Sequence, residues 1–182
     1  METGEGGVTD MEEVIRKLKG TAGELAAELE TLTDAQWQWR AADGRWTAQE
    51  IVEHLILVER GLPVLLRRTM QAPPTERGEV LTDEQVWTRM AGPETRRAQA
   101  PERVMPSGAW GDRAAAGAEF ARLRSETIRY AETTADPLRE RWLQLLPGQL
   151  DGVQTLLMMA GHLLRHTRQL QALRRLPGYP AE

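Results

Sequence analysis

The sequence contains three histidines, His54, His162 and His166, and no cysteine. His162 and His166 stand four residues apart in Gly161-His-Leu-Leu-Arg-His-Thr-Arg-Gln-Leu170. A helix there makes their imidazoles neighbours on one face. His54 lies in a separate apolar segment, Trp46-Thr-Ala-Gln-Glu-Ile-Val-Glu-His54-Leu. Imidazole is the commonest metal-ligating side chain and suits zinc, nickel and copper. A pair at i and i+4 can grip one ion. A third ring from a facing helix completes a three-nitrogen set with a position left open for water or substrate. The competing reading is three separate polar anchors under a core. Burying three rings singly costs free energy unless each finds a partner, whereas one shared cation satisfies them all.

The faces agree with a shared site. His54 shares its helical face with Ile51, Val58, Gly61 and Leu65, so it points toward a core. His162, His166, Gln169 and Leu173 fall within roughly 80° of one another at about 100° per residue. Gln169, one turn after His166, can orient that ring through its second nitrogen. Arg165, Arg168 and Arg175 point elsewhere; the first two suit a solvated face, an interface or an anionic thiol cofactor. Glu53 and Glu59 project away from the His54 face and read as solvated helix surface. Trp87 and Trp110 fall in a long connection, as packing residues or as the lining of a pocket mouth. Met158 and Met159 read as core filler.

Four amphipathic helices must position these groups. The first starts at Thr9 or Asp10, where Thr9 with Glu12 forms a capping-box pattern, and carries an apolar stripe from Met11 to Leu32. Thr33 to Gly44 reads as a loop. The second helix opens at Thr47, with Glu50 as its box partner and Trp46 and Ile51 as a hydrophobic staple, and runs to about Arg68 with a kink expected at Pro63. Five prolines interrupt residues 71–111, and only a short helix from Asp83 to Met90 is expected there. The third helix spans about Asp112 to Thr133. Leu138 to Leu146 reads as a short helix, followed by a turn at Pro147-Gly148. The fourth helix opens near Asp151, with Gln154 as its box partner, and ends near Leu176. The resulting fold class is all-α, a four-helix bundle with one long crossover. Residues 1–8 and 177–182 are expected as tails around a single domain at 9–176.

Composition narrows the function classes. The chain has 182 residues, enough for one domain with a real core. A net charge of -4 without a basic run gives no footprint for nucleic acid. No apolar run approaches the roughly 20 residues of a membrane span, and the polar, Gly-rich start lacks the order of a secretory signal, so a cytoplasmic location is expected. Without cysteine, any thiol chemistry would need a thiol carried by a small molecule.

Trp46 to Leu55, His162 to Leu170 and the turn Leu146-Pro-Gly-Gln resemble the DinB/YfiT-like superfamily of four-helix bundle proteins, with the likeness extending from about Met11 to Arg175. The resemblance implies an up-down-down-up topology, with residues 71–111 crossing from the second helix to the third. It implies that His54, His162 and His166 bind a divalent ion, often zinc or nickel. It leaves the reaction open: some relatives are transferases or isomerases that use low-molecular-weight thiols such as bacillithiol or mycothiol. A thiol-dependent S-transferase acting on a small-molecule substrate is the leading expectation. A metal-dependent hydrolase and a non-catalytic bundle with structural histidines are the alternatives.

Relatives of this kind are often homodimers. Val153, Leu157 and Leu164 lie roughly opposite His162 and His166, so a partner subunit or the crossover must cover them. Coverage by the crossover predicts a monomer.

Overall fold

A computed structural model of the protein describes residues 9–74, 76–78, 81–92, 100–146 and 148–181. The expected N-terminal tail at 1–8 and Pro147 of the expected turn lie outside them. The helices are α1 (Met11–Glu30), α2 (Asp34–Gln38), α3 (Ala48–Met70), α4 (Asp83–Ala91), α5 (Arg113–Thr133) and α6 (Gly152–Leu173). A 3-10 turn at Glu102–Val104 and a hairpin of β1 (Trp142–Leu145) and β2 (Gly148–Asp151) complete the order.

Capping chemistry fixes where the helices begin. Thr47 accepts from the Glu50 amide at 3.1 Å while the Glu50 carboxylate accepts from the Thr47 amide at 2.9 Å. Asp151 and Gln154 form the same box at α6. At α1 the cap sits one residue beyond the Thr9–Glu12 pattern. Asp10 accepts from Glu13, and the Thr9 amide donates instead to Asp83. The expected loop at 33–44 contains α2, which Thr33 and Gln36 box in the same way.

Cross-helix contacts establish the directions. Lys19 pairs with Glu132, and Arg113 reaches the Leu29 carbonyl, so α1 and α5 run antiparallel. Arg60 pairs with Glu119, and Gln71 with Asp136, so α3 and α5 run parallel. Glu28 meets Arg174 near the C-terminal ends of α1 and α6, whereas His54 of α3 meets His162 of α6. With the two α6 directions added, the order is up-down-down-up, and the connection between α3 and α5 spans residues 71–112.

The expected helix at Leu138–Leu146 is instead β1, paired antiparallel with β2. Leu143 opposes Leu150, and both are buried. A nine-residue segment without a cap is a marginal helix. Gly148 has φ +133, a conformation L side chains rarely adopt, and it turns the chain back sharply enough for the ladder to form. Leu143 and Leu150 then reach the core by strand alternation.

Part of the crossover packs on α6. Arg168 donates to the Ala91 carbonyl at 2.6 Å and Arg165 to the Arg89 carbonyl, so these arginines cap the end of α4. Gln154 donates to the Leu81 carbonyl at the other end of α4. Val153, Leu157 and Leu164 are buried within one chain, where α1 and α4 both pack on α6. Beyond α6 the chain folds back: Pro180 accepts from Gln36 and Tyr179 packs edge-on against Trp39. Among the described residues, no helix is long and apolar enough to cross a membrane.

Glu59, expected on a solvated surface, is buried because α5 packs over that side of α3. It pairs with buried Arg124 at 2.9 Å, and the same guanidinium nitrogen approaches the Met159 carbonyl at 3.5 Å. The pair thereby ties α3, α5 and α6 together at one level. Removing one partner strands the other charge away from water, which typically costs about 3–5 kcal/mol. Arg124→Ala should therefore lower unfolding free energy in urea by about that amount, and a loss below about 1 kcal/mol would contradict the pairing. Light scattering should return a mass near 20.5 kDa; twice that value would assign dimerisation to a surface other than this side of α6.

Candidate metal centre

The three histidines come together at the α3–α6 contact. Antiparallel packing brings His54 opposite the His162–His166 turn, and one potential ligand atom from each lies within 4.8 Å of the others. His54 Nε2 stands 3.3 Å from His162 Nε2, and His166 Nε2 stands 3.1 Å from the same atom. His54 and His166 are buried and His162 is half-buried.

The outward nitrogens of His54 and His166 are spoken for. His54 Nδ1 lies 2.8 Å from the Val104 carbonyl, and His166 Nδ1 lies 2.7 Å from Gln169 Oε1. A carbonyl oxygen can only accept, so each Nδ1 donates. In a neutral ring the Nε2 atom then carries a lone pair and no proton. Two such lone pairs face His162 Nε2, which has at most one hydrogen to offer. The trio cannot satisfy itself by hydrogen bonding among its own members. A cation at the convergence point satisfies every inward nitrogen, and the donor set of three imidazoles matches zinc, nickel or copper.

Electrostatics keep the rings neutral, as ligation requires. Burial pushes the His54 value down, partly opposed by its bond to Val104. Burial, reinforced by the nearby His54 ring and opposed by Gln169, pushes His166 down to about 3. His162 is driven well below the ordinary imidazole range by burial, then by its two histidine neighbours and by Arg165 and Arg124.

Trp46 covers the cluster on one side. Its ring centroid lies 5.0 Å from that of His54 and stacks on His166 at 6.4 Å. The staple residue of α3 is therefore also a wall of the site. Trp87 and Trp110 are elsewhere: Trp87 lies under the Lys17 ammonium, and Trp110 packs in the core while its carbonyl accepts from Trp37. Neither lines this site. Glu53, read as solvated, is 2% exposed. It accepts from the Ser107 amide and hydroxyl and from the Gly108 and Ala109 amides at 2.8–3.1 Å. No helical periodicity could announce this, because the partners lie in a loop more than fifty residues away.

A family model described as the DinB superfamily matches residues 17–170. Among solved structures, the chain is similar to one described as "YfiT from Bacillus subtilis is a probable metal-dependent hydrolase with an unusual four-helix bundle topology". The match has a TM-score of 0.65 and 17% identity, and covers 96% of this chain and 92% of that one. At that identity the likeness is one of fold. No curated protein matches the chain.

The depressed imidazole values have a definite sign in stability. An unfolded histidine takes up a proton near pH 6.5, whereas His166 refuses one until about pH 3. The stability from keeping the ring neutral is thus complete above the unfolded value and is lost as pH falls toward the folded one. Metal-free protein should show a urea midpoint that drops between about pH 7 and pH 5, above the range of ordinary carboxylates. A midpoint that is flat or rises over that interval would contradict neutral, buried rings.

Proposed function

The chain belongs to the DinB superfamily, and on that premise we propose that it is a metalloprotein in which His54, His162 and His166 hold one divalent ion, zinc or nickel, at an enzyme active site. The observation that carries the proposal is the convergence of the His54 and His166 Nε2 atoms on His162 Nε2, at 3.3 and 3.1 Å, while those two rings spend their Nδ1–H elsewhere. Such an ion would supply Lewis acidity, favouring the deprotonated form of a thiol or water bound to it.

The chain's own residues do the positioning. Val104 and Gln169 fix the tautomer and orientation of two rings. Trp46 excludes water from one side and lowers the local dielectric. The chain has no thiol of its own, so sulfur chemistry would use a low-molecular-weight thiol as co-substrate. The leading reading is transfer of such a thiol to a small electrophile, in which sulfur attacks as thiolate and a leaving group departs. The second reading is hydrolysis by an activated water, favoured by the description of the YfiT structure.

Elemental analysis of protein purified without a metal-affinity step should find one equivalent of divalent metal. His162→Ala/His166→Ala should abolish tight binding, whereas Arg168→Ala should retain it, since Arg168 serves the end of α4. Stoichiometric metal in the double variant would sink the assignment. Because the ligands come from two helices, an ion that binds only the folded chain stabilises it by mass action, by about 2.7 kcal/mol at a hundredfold excess over Kd. Chelation should accordingly lower the melting temperature. Thiol consumption against a panel of electrophiles, set beside hydrolysis of ester and amide substrates, separates the two readings.

A further inference from the structure

The two residues Glu53 and His54 are adjacent in α3, yet both reach into the same stretch of the crossover. His54 meets the Val104 carbonyl at 2.8 Å. Glu53 takes the Ser107, Gly108 and Ala109 amides and the Ser107 hydroxyl. Gln49, one turn earlier, donates to the Gly108 carbonyl at 3.0 Å. Three side chains of one helix, Gln49, Glu53 and His54, thus clasp residues 104–109 at several points. Three successive amides converge on one carboxylate because Gly108 has φ +82, which turns the loop into a backbone nest for an anion. Glu53 is that anion and is 2% exposed, whereas Ser107, Gly108 and Ala109 are themselves exposed. The loop therefore owes its placement to Glu53 and its neighbours on α3.

We infer that Glu53 is a positioning residue for the histidine centre: it sets the loop that carries the Val104 carbonyl, and that carbonyl sets the His54 ring. The inference rests on the metal reading above and goes one shell further out. Free to rotate, the His54 ring would lose its fixed Nδ1–H and present its Nε2 lone pair to the other two rings for only part of the time. Partners of ligating histidines typically account for about 10–100-fold in metal affinity. Binding is reciprocal, so an ion that orders His54 also steadies residues 102–111.

Two variants approach the clasp from opposite sides. Glu53→Gln keeps size but replaces one acceptor oxygen with an NH2 group that faces amide donors. Gly108→Ala keeps the carboxylate but strains the nest at positive φ. Asp83→Asn serves as a control, because it loosens the remote Arg139 pair and lowers stability away from the centre. Zinc affinity is read by competition with a chromogenic chelator, and hydrogen exchange of residues 102–111 is read with and without zinc.

Both clasp variants should weaken zinc binding about 10–100-fold at unchanged stoichiometry, while Asp83→Asn leaves affinity unchanged despite a lower melting temperature. Zinc should slow exchange at 102–111 in the wild type and do so less in the variants. Wild-type stoichiometry with unaltered affinity in both clasp variants overturns the positioning role alone. So does an equal affinity loss in Asp83→Asn. A wild type that binds neither zinc nor nickel overturns the metal reading and this inference with it.

Discussion

Facing lone pairs are what this bundle has to accommodate. Three imidazole nitrogens approach within 4.8 Å, two of them without a proton. Left alone in a low-dielectric interior, such an arrangement is repulsive. The packing around it holds the rings at this separation, and a shared cation would relieve the repulsion. The register of α3 against α6 is set by the apolar layers on either side and by the buried Glu59–Arg124 pair one turn away. His54 and His166 cannot move without disturbing their neighbours: Trp46 packs on both rings, Val104 holds His54 and Gln169 holds His166.

The crossover contributes to the core as well as to connectivity. Placing two sequential long helices side by side and parallel forces the chain to return the full length of the bundle. The return is used twice. Its first half, α4, covers α6, and its second half is held against α3 by Gln49, Glu53 and His54. The polar side chains on the back of α3 are therefore buried by loop and neighbouring helix. The arginines of α6 are fastened to the carbonyls at the end of α4.

Much of this was legible from residue spacing. The periodic stripes located α1, α3, α5 and α6, and Thr47–Glu50 and Asp151–Gln154 marked two helix starts correctly. The histidine faces pointed to one another, and Gln169 was visible as a partner one turn beyond His166. Thr33–Gln36, the same box signal, was present at α2 and unread. The hairpin was hidden because Trp142–Leu145 is too short for period two to outweigh a helical reading, and the decision came from the turn at Gly148. The burial of Glu53 and Glu59 was illegible for a different reason. Exposure of a charged residue on a helix depends on what covers that side, and the covering elements, the 107–109 loop and α5, lie 54 to 65 positions away in sequence.

Sequence separation also governs the order of assembly. His54 and His162 are 108 positions apart, Thr9 and Arg139 are 130 apart, and Gln36 and Pro180 are 144 apart. Helical bundles usually fold fast because their contacts are local. Here the first and last long helices pack against each other, and loop closure over such distances must precede the contacts that reward it. During synthesis, a nascent chain that has reached only α5 carries one of the three imidazoles and lacks the helix on which α1 and α4 pack. The contacts that α1, α3 and α4 make with α6 then await the last helix, and the three-nitrogen cluster can arise only in a chain whose two ends have already come together.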